Sequence, residues 1–430
     1  KHSPKRIDYV VLDNSFIGLI EPYLDSEDIS ALKDPATHIH YADSRAFIRG
    51  NKNKYDAVII NIQEVPNLKA NRFYTEEFYS RVGNILKPNG ILALSVVSSE
   101  NYLSRQTRIF NASVYVTLKS VFKTVEVIPG DSLMFLASSS AIDTRKETLL
   151  DRFNKRRISN HYVIPSYIGY KLEPGRALKL KKLLEDTRGV EINRDFRPTT
   201  CYYFAGLWLN KFASPLGYLA ATVLLIAIAL GIFRLLLRAF ITEPLHILIF
   251  VFGFVGMLLE LTLLLSYQII SGHIYWQMGA LFSSFMAGLF TGSLSGNMLK
   301  DNSRRAHSLS LTILALIIVA LSVCAAYLLP YLVNLSTAQN ICIFTALLAV
   351  IGGIVGAAFV IASYLIRPGD VMSRAGGFYA ADLWGAGLSA ILSTNVIAPL
   401  FGISGALTFS AVIGLAGLSV FLILSGKAGR

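Results

Sequence analysis

Arg6-Ile7-Asp8-Tyr9-Val10-Val11-Leu12-Asp13 and Tyr55-Asp56-Ala57-Val58-Ile59-Ile60-Asn61 decide how the first part of this chain is read. Each is a short run rich in β-branched and aromatic residues that closes on Asp or Asn. Such a run is too short for a core helix and too apolar for a loop, so it predicts a strand. Working outward from these two, the same character predicts strands at 7–12, 38–41, 57–61, 91–97, 124–128 and 133–137. Helical patterns lie between them. The clearest, 75–86, is stopped by Lys87-Pro88-Asn89-Gly90. Pro88 biases its predecessor away from helix, and Gly90 suits the turn into the next strand. Strands alternating with helices predict an α/β domain over residues 1–140.

The rest of the chain is of another kind. The 430 residues are 53% hydrophobic and 16% charged, with a mean hydropathy of +0.50, too apolar for an ordinary soluble protein. Residues 1–200 hold most of the charge. From Leu216 onward come apolar runs of roughly 20 residues, the length that crosses a bilayer. Seven spans are predicted, at 216–239, 246–270, 275–298, 309–333, 340–366, 377–401 and 404–425. The predicted organisation is therefore an α/β domain (1–140), a basic helical extension and linker (141–214) and an all-α bundle of seven transmembrane helices (215–430). The extension carries Arg145, Lys146, Arg152, Lys155, Arg156, Arg157, Arg176, Lys179, Lys181 and Lys182. It reads as a solvated face, or as a contact for anionic lipid or an acidic partner.

Net charge is +12, but no zinc-finger, helix-turn-helix or RNA-binding signature accompanies it, so nucleic acid is not an expected partner. Cys201, Cys324 and Cys342 lie far apart and make neither a disulfide framework nor a metal spacing. The basic residues divide by loop. Arg234, Arg238, Lys300, Arg304, Arg305, Arg367, Arg374, Lys427 and Arg430 flank loops one, three and five and the C-terminus, while the other loops carry no Lys or Arg. The positive-inside rule puts the first set in the cytoplasm. Seven spans then place the α/β domain outside, in the periplasm of a double-membrane bacterium, with the chain in the inner membrane.

Within the spans, Ala280, Ser284, Gly288, Gly292 and Gly296 recur every four residues. Gly352 and Gly356 repeat the pattern, as do Ala381, Gly385 and Ser389. Such ladders let helices approach closely. Two carboxylates lie inside spans, Glu260 and Asp382. Each should face protein or water, Glu260 with Tyr267, Gln268 or Gln277 as hydrogen-bond partners. A polar clamp between helices and a proton or cation relay are both open.

Several of these stretches carry a resemblance. Lys1-His2 followed by Val10-Val11-Leu12-Asp13, Tyr41-Ala42-Asp43, Tyr55–Asn61, 71–79 (Asn-Arg-Phe-Tyr-Thr-Glu-Glu-Phe-Tyr), 86–90 and 192–198 (Ile-Asn-Arg-Asp-Phe-Arg-Pro) together resemble the membrane-fused spermidine synthase-like (polyamine aminopropyltransferase-like) family. In the spans, 257–260 and 379–385 look like features of the same branch. The resemblance implies a Rossmann-like, S-adenosylmethionine methyltransferase-like fold. It implies S-adenosylmethionine or its decarboxylated form as donor, and an aspartate base. By this match the base position is Asn61, which cannot act as a base, and the loop's second acid is Glu64. The ribose acid position is Val11, with Asp13 two residues on, and Asp43 would sit near the adenine.

The resemblance also implies that a first strand with a glycine-rich turn precedes this sequence. With no initiator methionine, the chain reads as processed, split or truncated. The empty place in the sheet is expected to be filled by another polypeptide or by an N-terminal fragment. The reading that results is a degenerate, non-catalytic docking or structural subunit of a membrane complex, with no resident cofactor or metal and other membrane subunits as partners. The alternatives are a membrane-bound aminopropyl- or methyltransferase, and a transporter that uses Glu260 and Asp382.

Overall fold

A computed structural model describes residues 4–62, 64–100, 103–157, 163–212, 244–272, 275–333, 335–365 and 371–428. The chain divides into two units, Lys1–Leu209 and Asn210–Arg430.

The first unit is α/β. Its strands are β1 (Ile7–Val11), β2 (Thr37–Tyr41), β3 (Tyr55–Ile60), β4 (Leu86–Val97), β5 (Thr124–Ile128) and β6 (Ser132–Ser138). All six predicted strands are present. They form two sheets. β1 and β2 pair in parallel as one; the other runs β3-β4-β6-β5, with β3 parallel to β4 and the remaining pairs antiparallel. β4 starts earlier than predicted, because Leu86 pairs with Tyr55 before the register shifts and Ile91 meets Ala57. Gly90 sits in that irregularity. A Cβ there would lie 2.9 Å from the Tyr55 carbonyl oxygen, so the close approach of the two backbones requires glycine.

Helices α1 (Ser15–Ile20), α2 (Ser26–Leu32), α3 (Ser44–Gly50), α4 (Leu68–Asn71), α5 (Glu76–Ile85) and α6 (Arg105–Val121) connect the strands. α5 buries Phe78, Tyr79, Val82 and Ile85, one stripe of a helix period. Its N-cap, Thr75, accepts a hydrogen bond from Phe78 N–H, and Glu76 and Glu77 occupy the positive first turn. The core gathers Leu92, Leu94 and Val96 of β4 with Phe110, Val114 and Leu118 of α6 and Phe135 of β6. The basic extension folds into α7 (Lys146–Lys155), α8 (Pro165–Lys171), α9 (Pro174–Glu185) and the start of α10 (Thr199–Phe212). Several of its cations pair with acids of the α/β body: Lys171 with Glu100 (2.9 Å) and Lys181 with Glu126 (2.9 Å).

The second unit consists of helices α11 (Pro244–Ser271), α12 (Tyr275–Asn297), α13 (Arg304–Leu332), α14 (Thr337–Ser363), α15 (Val371–Leu392) and α16 (Ala398–Ala428). Among the described residues, 5 helices are long and apolar enough to cross a membrane: Pro244–Ser271, Trp276–Asn297, Arg304–Leu332, Thr337–Ser363 and Ala398–Ser425. Seven spans are thus not reached. The predicted span 216–239 lies outside the described residues, and α15, which carries Arg374 and Asp382, is not in the apolar set. A short π-helical turn, Ser393–Ile397, leads from α15 into α16. The backbone breaks at Gly402, whose φ of 72° favours glycine, between the predicted spans 377–401 and 404–425.

α11 packs against each of the other described helices, α12 to α16. α12 and α14 run parallel with their backbones in contact. A Cβ on Gly288, Gly292 or Gly296 would meet the carbonyls of Ala349, Gly353 and Ala357 in turn, and one on Gly352 or Gly356 would meet those of Phe285 and Leu289. Ser284 donates to Leu281 C=O within α12 (2.7 Å). Ser389 is fully buried on α15. On the same helix Gly385 approaches Phe250, and Asp382 lies against Gly253 of α11. Glu260 is buried in α11. Tyr267 donates to Gln277 (2.6 Å), and Gln268 Nε2 reaches the Met278 sulfur (3.6 Å).

Candidate functional site

The residues aligned with a nucleoside and amine site sit at the ends of β1, β2 and β3. Asp13, just past β1, is turned into the next helix, where its Oδ1 accepts from Ser15 N–H (2.8 Å). Asp43, just past β2, is the N-cap of α3 and accepts from Arg45 N–H (3.1 Å) and Ala46 N–H (3.2 Å). Its other oxygen is held by the Arg72 guanidinium, and both side chains are nearly buried. Every described oxygen of Asp43 is thereby engaged inside the protein. Asn61 follows β3, is exposed and lines a cavity; Glu64 is exposed. Val11 is buried in β1. These side chains do not converge: Asp13, Asp43, Glu64 and Val11 are absent from the lining of the cavity that Asn61 faces.

A second polar centre joins α3 and α5 to the segment before α10. Arg45 makes a bidentate pair with Asp195 (Nη1–Oδ1 3.0 Å, Nη2–Oδ2 2.7 Å), with both side chains 1% exposed. Thr75 Oγ1 donates to the same carboxylate (2.7 Å), and the Arg45 guanidinium lies over the Phe78 ring. Around this pair the backbones interlock. Asn193 Nδ2 donates to Tyr74 C=O (3.0 Å), Cys201 N–H to Asn71 Oδ1 (3.1 Å) and Asp195 N–H to Glu77 Oε2 (3.0 Å). Burial pushes the Glu77 carboxyl up to about 7, with Asp195 adding to the shift. Sequence reading singled out 71–79, with Arg72 and Glu77 in it but given no role of their own, and 192–198 separately; Arg45 it missed. A lone Arg in a short helix reads as a solvated cation, and its partner lies 150 residues away.

A third feature lies between the two sheets. Among the described residues β1 and β3 each pair on one side only, and residues of both line one cavity of about 480 Å³. Tyr9, Phe47, Ile59, Phe73 and Phe78 are among its walls. Asp8 and Tyr55 meet across it, Tyr55 Oη donating to Asp8 Oδ2 (2.7 Å). Asp8 also binds Arg6 (2.9 Å) and His40 (2.7 Å), and the Arg6 guanidinium first, then Tyr55 and His40, hold its carboxyl far below the usual range. A larger cavity of about 670 Å³, between β6, α7 and α8, contains none of the residues aligned with the site. Among the described residues no group of three His, Cys, Asp or Glu side chains could hold a metal.

An S-adenosyl donor does not fit these residues. The ribose and base positions, Val11 and Asn61, carry no carboxylate to accept from a ribose or to draw a proton from an amine, and Asp43, aligned near the adenine, is engaged by Arg72.

Comparison with known proteins agrees with the resemblance read in the motifs. Residues 1–129 match the spermine/spermidine synthase domain. The polyamine aminopropyltransferase of Korarchaeum cryptofilum is 28% identical over 165 residues, covering 36% of this chain and 50% of that protein. That of Alkaliphilus oremlandii is 34% identical over 88 residues, covering 20% and 30%. The chain thus spans half or less of the length of these two relatives. Among solved structures, spermidine synthase in complex with the transition-state analogue AdoDATO is similar with a TM-score of 0.33 at 20% identity, over 43% of this chain and 60% of that one. Spermidine synthase from Thermotoga maritima gives 0.32 at 21% identity, over 42% and 60%.

Proposed function

We propose that this is a membrane-fused, spermidine synthase-like docking module that no longer transfers aminopropyl groups. The observation that carries this reading is the engagement of Asp43. The acid aligned with the adenine contact caps α3 and pairs with Arg72, so a nucleoside would have to break a nearly buried ion pair. Asn61 at the base position points the same way, since an amide has no basic lone pair at neutral pH. The five apolar helices suit a membrane anchor. The loop charges favour an α/β unit on the outer face of a bacterial inner membrane, away from the cytoplasm where S-adenosyl donors are made.

The names of the relatives favour a second reading, aminopropyl transfer with a polyamine substrate. In that reading Glu64, exposed three residues beyond Asn61, is the acid available to draw the amine proton.

Calorimetry on the full chain in detergent separates the two. No heat above dilution is expected with decarboxylated S-adenosylmethionine or with S-adenosylmethionine. Saturable micromolar binding overturns the docking reading. Protease added to spheroplasts tests the placement: cleavage within 141–200 is expected, and full protection reverses the orientation.

A further inference from the structure

We infer that the cavity between β6, α7 and α8 is a binding site for a single-chain amphiphile, an apolar chain that ends in one carboxylate. The site lies apart from the residues aligned with the nucleoside site and does not rest on the docking reading.

The floor is the outer face of the sheet. β6 sends Leu133 and Phe135 to the core, and the alternation turns Met134 to the other side, where it is 38% exposed. Ser95 of β4 and Ile128 of β5 both stand in register with Met134, so the three lie side by side under the cavity. α7 and α8 form the walls. They pack chiefly on each other, and neither buries a residue fully. The apolar side chains that a helix period brings to one face, Leu149 and Phe153 on α7 and Ile168 and Leu172 on α8, line the cavity instead of a core.

The charges single out the head group. Arg145, Lys155, Lys171 and Lys181 of the basic extension pair with acids. Arg152 and Arg156 line the cavity on the same face of α7 as Leu149 and Phe153, and among the described residues no acid pairs with either. Two like charges four residues apart on a helix repel, and an anion placed between them removes that cost. A guanidinium fork matches a carboxylate with two hydrogen bonds. The lining also holds one acid, Asp131. Its charge opposes a second negative charge on the guest, so a monoanion suits the site better than a phosphate dianion.

The size suits one chain. The cavity's volume of about 670 Å³ falls within the range of pockets that take drug-sized ligands. At roughly 30 Å³ for a group the size of a water or a methylene, it holds about twenty such groups, which one acyl chain with its carboxylate fills. The guest covers Met134 and Tyr167, both exposed. Each methylene it buries is worth about fourfold in affinity.

The test uses the full chain in detergent and a diazirine-bearing dodecanoic acid, with the labelled peptides located by mass spectrometry. Light should attach the probe to β6, α7 and α8. Excess dodecanoate should lower that labelling about tenfold, and dodecanol, the same chain without charge, should not. Arg152→Gln combined with Arg156→Gln should also lower it about tenfold, while labelling of α11 to α16 and the far-ultraviolet dichroism stay unchanged. Met134→Trp, which fills the floor and keeps the charges, should do the same. The proposal fails if dodecanol competes as well as dodecanoate, which makes the cavity an uncharged apolar site. It fails if dodecyl phosphate competes better, which makes the guest a phosphate amphiphile such as a lipid headgroup. It also fails if the probe labels only α11 to α16. None of these outcomes bears on the binding of decarboxylated S-adenosylmethionine, so the docking reading stands or falls separately.

Discussion

Helices α3 and α5 each serve two regions of the α/β unit, and the two regions are built in opposite ways. On one side Arg45, Thr75 and Glu77 meet Asp195, and the donors of the Arg45 fork are matched by carboxylate oxygens. On the other side Phe47, Phe78 and Ile85 line a cavity. The first region is closed by a segment that folds back from far along the chain; the second is a cavity lined by residues of β1 and β3. The Arg45 and Asp195 charges are paired within the unit, whereas among the described residues β1 and β3 each pair on one side only.

The sharpest way to break the comparison is at the closed side. Arg45→Ala leaves Asp195 buried without its partner and should destabilise the unit by about 3–5 kcal/mol. Asp195→Asn, which keeps the shape, should cost less. Chemical unfolding of the full chain in detergent, followed by fluorescence, measures both. A cost for Arg45→Ala below about 1 kcal/mol, the value of a surface ion pair, would show that this centre is no more closed than a surface pair.

That centre was half legible in the sequence. The motif 71–79 and the segment 192–198 both stood out, but nothing in either says that Asn193 and Asp195 lock onto Tyr74, Glu77 and Arg45. Strands were easier, because β-branched runs bounded by turn residues announce themselves locally, and Lys87-Pro88-Asn89-Gly90 announced the stop of α5. The bulge that draws Leu86 into β4 depends on Tyr55, a partner in another element, and was not readable. The glycine ladder of α12 was visible from its period of four, while the helix it meets, α14, was not. Asp43 shows the limit most clearly: its place after a strand suggested both a cap and a ligand contact, and only Arg72, nearly thirty residues on, tells which group holds it.

Glu77 sharpens the comparison through pH. Its carboxyl is raised to about 7 in the folded unit from an ordinary 4.5. The folded state therefore holds a proton that the unfolded chain releases, so this contribution is full below about pH 4.5 and is lost as pH rises toward 7. Over that window roughly 3 kcal/mol of stability should disappear. Glu77→Gln, which is neutral at every pH, should flatten the slope. Unfolding midpoints at pH 5 and pH 8 decide it; an unchanged slope in the variant would place the titration elsewhere.

The helical unit supplies a calibration of what a closed contact is worth. Gly292 presses on the backbone of Gly353, whereas a Cβ on Gly353 would meet only the Gly288 carbonyl oxygen at 3.7 Å. Gly292→Ala should therefore cost about 1–3 kcal/mol by overpacking, and Gly353→Ala should be close to neutral. Thermal unfolding in detergent, read by size-exclusion recovery, compares them directly. Equal losses would mean that the close contact at Gly292 does not set the cost, since helix propensity favours Ala over Gly at both positions.

The smallest effect is expected where the comparison matters most. Ile59 lies in β3 and is 77% exposed, so in the chain alone Ile59→Asp removes little buried surface and should change stability by less than about 0.5 kcal/mol. A loss as large as that of Arg45→Ala would mean that Ile59 is covered rather than exposed.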